Sequence, residues 1–149
     1  MNFFTDAEFN GGDDTELISL AIVSEDGKFE FYEVVDHSGI EIAEWVQKNV
    51  IPILNKPAIS FKEYQEKLKA FLVQFDTPKI YSNHPNDVMH LAGSMRTNDP
   101  KPGAWFEEPV IHFILDEGLS AKKAKVPHNA LSDARATRDS WLERQGIEP

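Results

Sequence analysis

Cysteine is absent from this 149-residue chain. Its absence excludes a disulfide framework and any thiolate zinc site, and it leaves the redox compartment open. Long apolar runs are missing too; nothing approaches the length of a membrane span, and no membrane partner is expected. The opening stretch, Met1-Asn2-Phe3-Phe4-Thr5-Asp6, has neither a basic n-region nor an extended apolar segment, so the expected location is cytoplasmic. Positive charge is scarce: 15 lysines and arginines stand against 25 acidic residues, a net charge of −10. That balance argues against a long nucleic-acid interface, which needs a basic stripe. Repeats, low-complexity tracts and linkers are absent as well. What remains, 41% hydrophobic and 27% charged residues, is the composition of a soluble globular protein. One domain over residues 1–149 is expected, with a core burying roughly 70% of the surface of the unfolded chain.

The most informative stretch is the first, Asn2-Phe3-Phe4-Thr5-Asp6-Ala7-Glu8-Phe9, which reads as a strand. Side chains alternate faces along a strand, so Asp6 and Glu8 share one face and Ala7 points away. Two neighbouring carboxylates in an apolar strand repel each other and are costly to bury unpaired. A hard divalent cation resolves that conflict, because it takes carboxylate oxygens. The alternative is a strand end running into a solvated turn, where both residues are ordinary.

After a turn at residues 10–14, Thr15 to Ser24 reads as a second strand. The Asp26-Gly27 turn then leads into a third, Phe29 to Val35, and the three compose an antiparallel meander. Ile42, Trp45, Val46 and Val50 recur at helical spacing and predict a helix over Ile40–Val50. Ser60 with Glu63 forms a capping box opening a helix to about Phe75, with Tyr64, Leu68, Phe71, Leu72 and Phe75 as its core stripe. Lys79 to Ser82 is a short strand, placed parallel to the first, and a helix starts at Asn83-His84-Pro85. Residues 98–103 read as a Pro-rich loop, followed by Ala104-Trp105-Phe106. Val110–Glu117 fits helix or strand by pattern; helix is the expectation.

Near the C-terminus stands Val126-Pro127-His128-Asn129-Ala130-Leu131-Ser132-Asp133-Ala134-Arg135-Ala136. With D-x-E on the first strand and H-x-x-x-x-D entering the last helix, the sequence resembles the DEDDh 3′–5′ exonucleases. It looks most similar to the small bacterial exoribonucleases related to mycobacterial ribonuclease AS. The resemblance runs from Asn2 to about Leu142. It implies an α/β, ribonuclease H-like fold: a mixed sheet, in which an antiparallel three-stranded meander is followed by parallel strands, flanked by helices. It also implies a fourth carboxylate after a central strand, and Asp87 is the candidate. Many family members read His-Asn-x-x-x-Asp there; this chain keeps Asn83 and Asp87 but has Ser82 in the position of the histidine. Asp76 and Asp99 are the rivals for that role.

By resemblance, two Mg²⁺ ions per active site, replaceable by Mn²⁺, assist phosphodiester hydrolysis: Asp6, Glu8 and Asp133 hold one, and Asp6 and Asp87 the other. His128 is the implied general base. A tyrosine in its place defines a sister subclass, and no tyrosine occurs between residues 82 and 149. The expected partner is the 3′ end of single-stranded RNA or an oligonucleotide, and a homodimer is implied. For substrate binding the candidates are Phe9, whose ring either stacks on a base or joins the core beside Phe3 and Ala7, with Asn83, Trp105, Lys125 and Arg135. The basic run Lys122-Lys123-Ala124-Lys125 is either a solvated face or a phosphate contact. The expected function is therefore a metal-dependent 3′–5′ exoribonuclease. The alternatives are an exodeoxyribonuclease on the same fold, and a non-catalytic interaction module or acidic nucleic-acid mimic.

Overall fold

The computed structural model describes residues 1–11, 16–97 and 104–149. The loop expected over residues 98–103, the rival Asp99, and most of the turn before the second strand lie outside them. Three antiparallel strands open the fold: β1 (Asn2–Phe9), β2 (Leu17–Ser24) and β3 (Glu30–Val35). Helix α1 (Glu44–Asn49) and a 3₁₀ turn (Ile51–Ile53) lead to the two-residue strand β4 (Ala58–Ile59), parallel to β3. Helix α2 (Phe61–Leu72) precedes β5 (Lys79–Ser82), which pairs in parallel with β1. Then come α3 (Pro85–Ser94), the short antiparallel pair β6 (Arg96–Thr97) and β7 (Ala104–Trp105), β8 (His112–Leu115) and α4 (Ala130–Arg144). The main sheet has the order β4-β3-β2-β1-β5-β8. Its antiparallel meander continued by parallel strands, with helices alongside, is a ribonuclease H-like arrangement.

Local chemistry explains most boundaries. Ser60 caps α2 by accepting a hydrogen bond from the Glu63 amide at 3.2 Å. Tyr64, Leu68 and Leu72 then present one buried stripe to Phe3, Leu20, Phe31 and Ile80. The opposite layer is thinner. Ala130 and Ala134 of α4 pack on Ala21 and Val23, and such small residues let the helix lie close to the sheet. Among the described residues no helix is long and apolar enough to cross a membrane.

Two expectations need correction. The first helix begins at Glu44 rather than Ile40; the stretch from Ile40 to Ala43 packs its apolar side chains against Val46 and Val50 without joining the helix. Asn10 accounts for the late start, since its Oδ1 accepts the Ala43 amide at 2.8 Å and its Nδ2 donates to the Glu41 carbonyl at 2.8 Å. Val110–Glu117 contains a strand, β8, not a helix. Ile80↔Phe113 and Tyr81↔Ile114 pairing with β5 supplies the backbone partners that its sequence, too short for either pattern to dominate, does not announce.

Candidate active site

The site lies where β1 outruns its parallel neighbour. Strand β5 pairs with Asn2, Phe3 and Phe4 only, so the following β1 amides on that side lack a strand partner. Asp87, in the first turn of α3, fills one vacancy: its Oδ1 accepts the Ala7 amide at 3.2 Å. Its Oδ2 accepts the Ser82 hydroxyl at 2.7 Å. Ser82, the departure from the expected histidine, is thus a direct support of the carboxylate. Crevices of this kind, beyond the carboxyl ends of strands, are where open α/β sheets bind ligands.

Asp6 and Glu8 come from the β1 face that looks toward α4; Phe4, on the same face, touches Trp141 of that helix with ring centroids 5.6 Å apart. Helix α4 delivers Asp133 from its first turn. One candidate ligand atom each from Glu8, His128 and Asp133 lies within 4.8 Å of the others. Asp6 and Asp87 border this group closely enough for their charges to act on it.

The carboxyls are held in a state they resist. Burial pushes Asp6 well above the usual carboxylate range, and the charges of Asp87, Glu8 and Asp133 add to the effect. Glu8 is pushed up to about 8, by burial first and then by Asp133 and Asp87; it also shares a hydrogen bond with Asp133. Asp87 rises to about 6, again through burial, with the bonds from Ser82 and Ala7 pulling the other way. Asp133 is raised by burial despite its backbone bond from His128. Among the described residues no lysine or arginine forms a salt bridge with any of the four. Four carboxyl groups with no lysine or arginine salt bridge among the described residues make a donor set that fits a hard divalent cation.

His128 sits on the rim, exposed, with a left-handed backbone (φ +66°). That conformation costs a non-glycine residue roughly 1–2 kcal/mol. It is held by the His128 amide, which donates to Asp133 Oδ2 at 3.0 Å, and by the next residue. Asn129 caps α4 by accepting the Ser132 amide at 3.1 Å, while its Nδ2 donates to the Ile53 carbonyl at 2.9 Å and to the Tyr32 hydroxyl at 3.3 Å. One side chain therefore ties the start of α4 to β3 and to the 3₁₀ turn.

No family model matches the chain. Two curated proteins of Mycobacterium tuberculosis do match part of it: the 3′-5′ exoribonuclease MT2234.1 of strain CDC 1551 / Oshkosh and the 3′-5′ exoribonuclease Rv2179c of strain ATCC 25618 / H37Rv. Each is 36% identical over 77 residues. That alignment takes in 50% of this chain and spans 45%, less than half, of either relative. The likeness supports a nuclease function. It also brings with it an expectation of dependence on a divalent metal, which the acidic cluster is built to meet.

The remaining candidate residues are distributed unevenly. Phe9 is half-buried and stacks on His90 with centroids 4.9 Å apart. Asn83 lies in the half-buried link between β5 and α3. Trp105 is on strand β7, not in a loop, and the guanidinium of Arg96 lies 5.5 Å from its ring centroid. Arg135 is already engaged, through two 2.6 Å bonds to Glu30. Lys125 is exposed, and Asp76, the other rival for the fourth carboxylate, is exposed as well. Sequence reasoning missed Trp45. The pattern marks it only as one of the residues at helical spacing, yet it is 55% exposed and meets the His128 ring edge-to-face at 4.9 Å. An isolated aromatic at a helix start gives no sequence signal for that contact.

Proposed function

We propose that this protein is a DEDDh-type 3′–5′ exoribonuclease that removes nucleotides from the 3′ end of single-stranded RNA or oligoribonucleotides. The observation that carries the reading is the convergence of Asp6, Glu8, Asp87 and Asp133 from β1, α3 and α4, with raised proton affinities and, among the described residues, no salt bridge from a lysine or arginine. Asp6, Glu8 and Asp133 would hold one Mg²⁺ ion and Asp6 and Asp87 a second, with Mn²⁺ able to replace either, and these would supply Lewis-acid activation of water and of the departing 3′ oxygen.

The chain's own residues do the rest. His128, on the solvent side of the cluster, takes the proton from the attacking water. Its left-handed backbone turns it toward Glu8 and Asp133 while leaving the imidazole accessible. Ser82 and the Ala7 amide hold Asp87 in one orientation. Trp45 flanks His128 with an exposed ring, a surface on which a terminal base stacks with little sequence preference. A homodimer belongs to the same reading and is checked by sedimentation.

The test is degradation of 5′-labelled, matched single-stranded RNA and DNA with Mg²⁺ or Mn²⁺, beside an Asp6→Ala control. A ladder that shortens RNA from its 3′ end, needs metal and disappears in the variant supports the reading. The same ladder on DNA alone keeps the site and overturns the substrate. No ladder on either overturns the activity.

A further inference from the structure

A groove of about 640 Å³ is lined by residues of α4 together with Tyr32, Asn55 and the segment 123–126. Its size falls in the range of ligand-binding clefts. It adjoins the carboxylate site: Asn129 and Ser132, which line it, are the neighbours in sequence of His128 and Asp133.

Its lining is richer in cations than the rest of a chain carrying −10: Lys123, Lys125, Arg135 and Arg138 stand there with one carboxylate, Asp139, which is paired with Arg138 at 2.8 Å. Lys123 is paired with Glu143 at 2.7 Å and Arg135 with Glu30 at 2.6 Å. The exposed Lys123 pair is of a kind that contributes about 0–1 kcal/mol, so exchanging its carboxylate for a phosphate costs little, whereas the bidentate Arg135–Glu30 pair stays closed. Lys125 has no hydrogen-bond or ion-pair partner among the described residues, and it stands three residues before His128. The wall also includes Val126, 39% exposed, and Leu131. Cations interleaved with apolar side chains suit a nucleotide chain, which offers phosphates and base faces together, better than a simple anion.

We infer that this groove binds the phosphodiester backbone of the nucleotides upstream of the 3′ end, with Lys125 as its principal phosphate contact. The inference rests on the nuclease reading for the identity of the strand, but its own content is a binding surface separate from the carboxylates. It makes binding dependent on length. A strand too short to leave the carboxylate site does not reach the groove, whereas a decanucleotide does.

The experiment is fluorescence anisotropy of 5′-labelled RNA trinucleotide and decanucleotide in EDTA, where hydrolysis is blocked, with the wild-type chain and Lys125→Glu over a range of salt. Each phosphate contact on a single strand contributes about 0.7 to the slope of log affinity against log salt, so losing one weakens binding about eightfold near 50 mM salt. The expected result is decanucleotide binding that Lys125→Glu weakens at least that much, with a shallower salt slope and weak trinucleotide binding by both proteins. No decanucleotide binding by the wild type, or binding unaffected by Lys125→Glu, overturns the groove. The hydrolysis ladder stands or falls separately. Lys125-dependent binding without a ladder sinks the nuclease and keeps the groove; a ladder without that binding does the reverse.

Discussion

Replacing Glu8 by glutamine should stabilise the metal-free protein while removing its activity. The Glu8 carboxyl passes from an ordinary value of 4.5 to about 8 on folding, through burial and the charges of Asp133 and Asp87. The native state therefore holds its proton more tightly than the unfolded chain. The stability this contributes is complete below pH 4.5 and is lost as pH rises to about 8. At ~1.36 kcal/mol for each tenfold change in proton affinity, the full loss is about 5 kcal/mol. Glutamine stays neutral throughout and keeps an N–H for the Asp133 carboxylate, but burying its amide costs part of the gain. About half should survive at pH 8, a rise in Tm of roughly 5–10 °C for a chain of this length. Thermal unfolding in EDTA from pH 5 to 8.5 measures it. The advantage of Glu8→Gln should shrink toward zero at pH 5, where wild-type Glu8 is protonated. With Mg²⁺ present, the wild type should recover most of the difference and the variant little. Equal or lower stability of Glu8→Gln at pH 8, or an advantage unchanged at pH 5, would refute the picture of charge confined by the fold.

Three further outcomes follow from the same geometry. Ser82→Ala removes the 2.7 Å donor that holds the Asp87 carboxyl down, so Asp87 should move above about 6 and the acidic limb of the pH–rate profile should shift to higher pH. Asn129→Asp keeps the helix cap but loses both Nδ2 bonds; kcat should fall about tenfold or more with little change in KM, whereas Asn129→Ala should also cost about 1 kcal/mol of stability in denaturant titration. Trp45→Ala should raise KM for oligoribonucleotides about 5- to 150-fold, the equivalent of about 1–3 kcal/mol for one stacked base, and Trp45→Phe should restore much of it. A Trp45→Ala enzyme with unaltered KM removes the stacking role.

Much of this molecule is decided by local pattern. Strand alternation alone puts Asp6 and Glu8 on one face, and the strand it implies, Asn2–Phe9, is the one formed. The Asp26-Gly27 turn, the Ser60 cap and the apolar stripe of α2 are short-range devices, legible because each acts within a few residues. Asp87 in the first turn of α3 and Asp133 in the first turn of α4 are placed by the same logic.

Tertiary structure decided the rest, because the causes are distant in sequence. Whether Val110–Glu117 became helix or strand depended on β5, some thirty residues earlier, whose open edge supplied hydrogen bonds that no short apolar run encodes. Trp45 meets the His128 ring only because the fold brings the start of α1 to the segment before α4, far along the chain. The proton affinities of the four carboxyls depend on how closely three elements approach, which the alanines of α4 permit but do not reveal. The tie from Asn129 to Tyr32 spans 97 positions. Sequence alone singled out Asp6, Glu8, Asp87 and Asp133 as candidates; only folding brought their charges near enough to oppose one another, since electrostatic repulsion depends on distance in space and burial, not on separation along the chain.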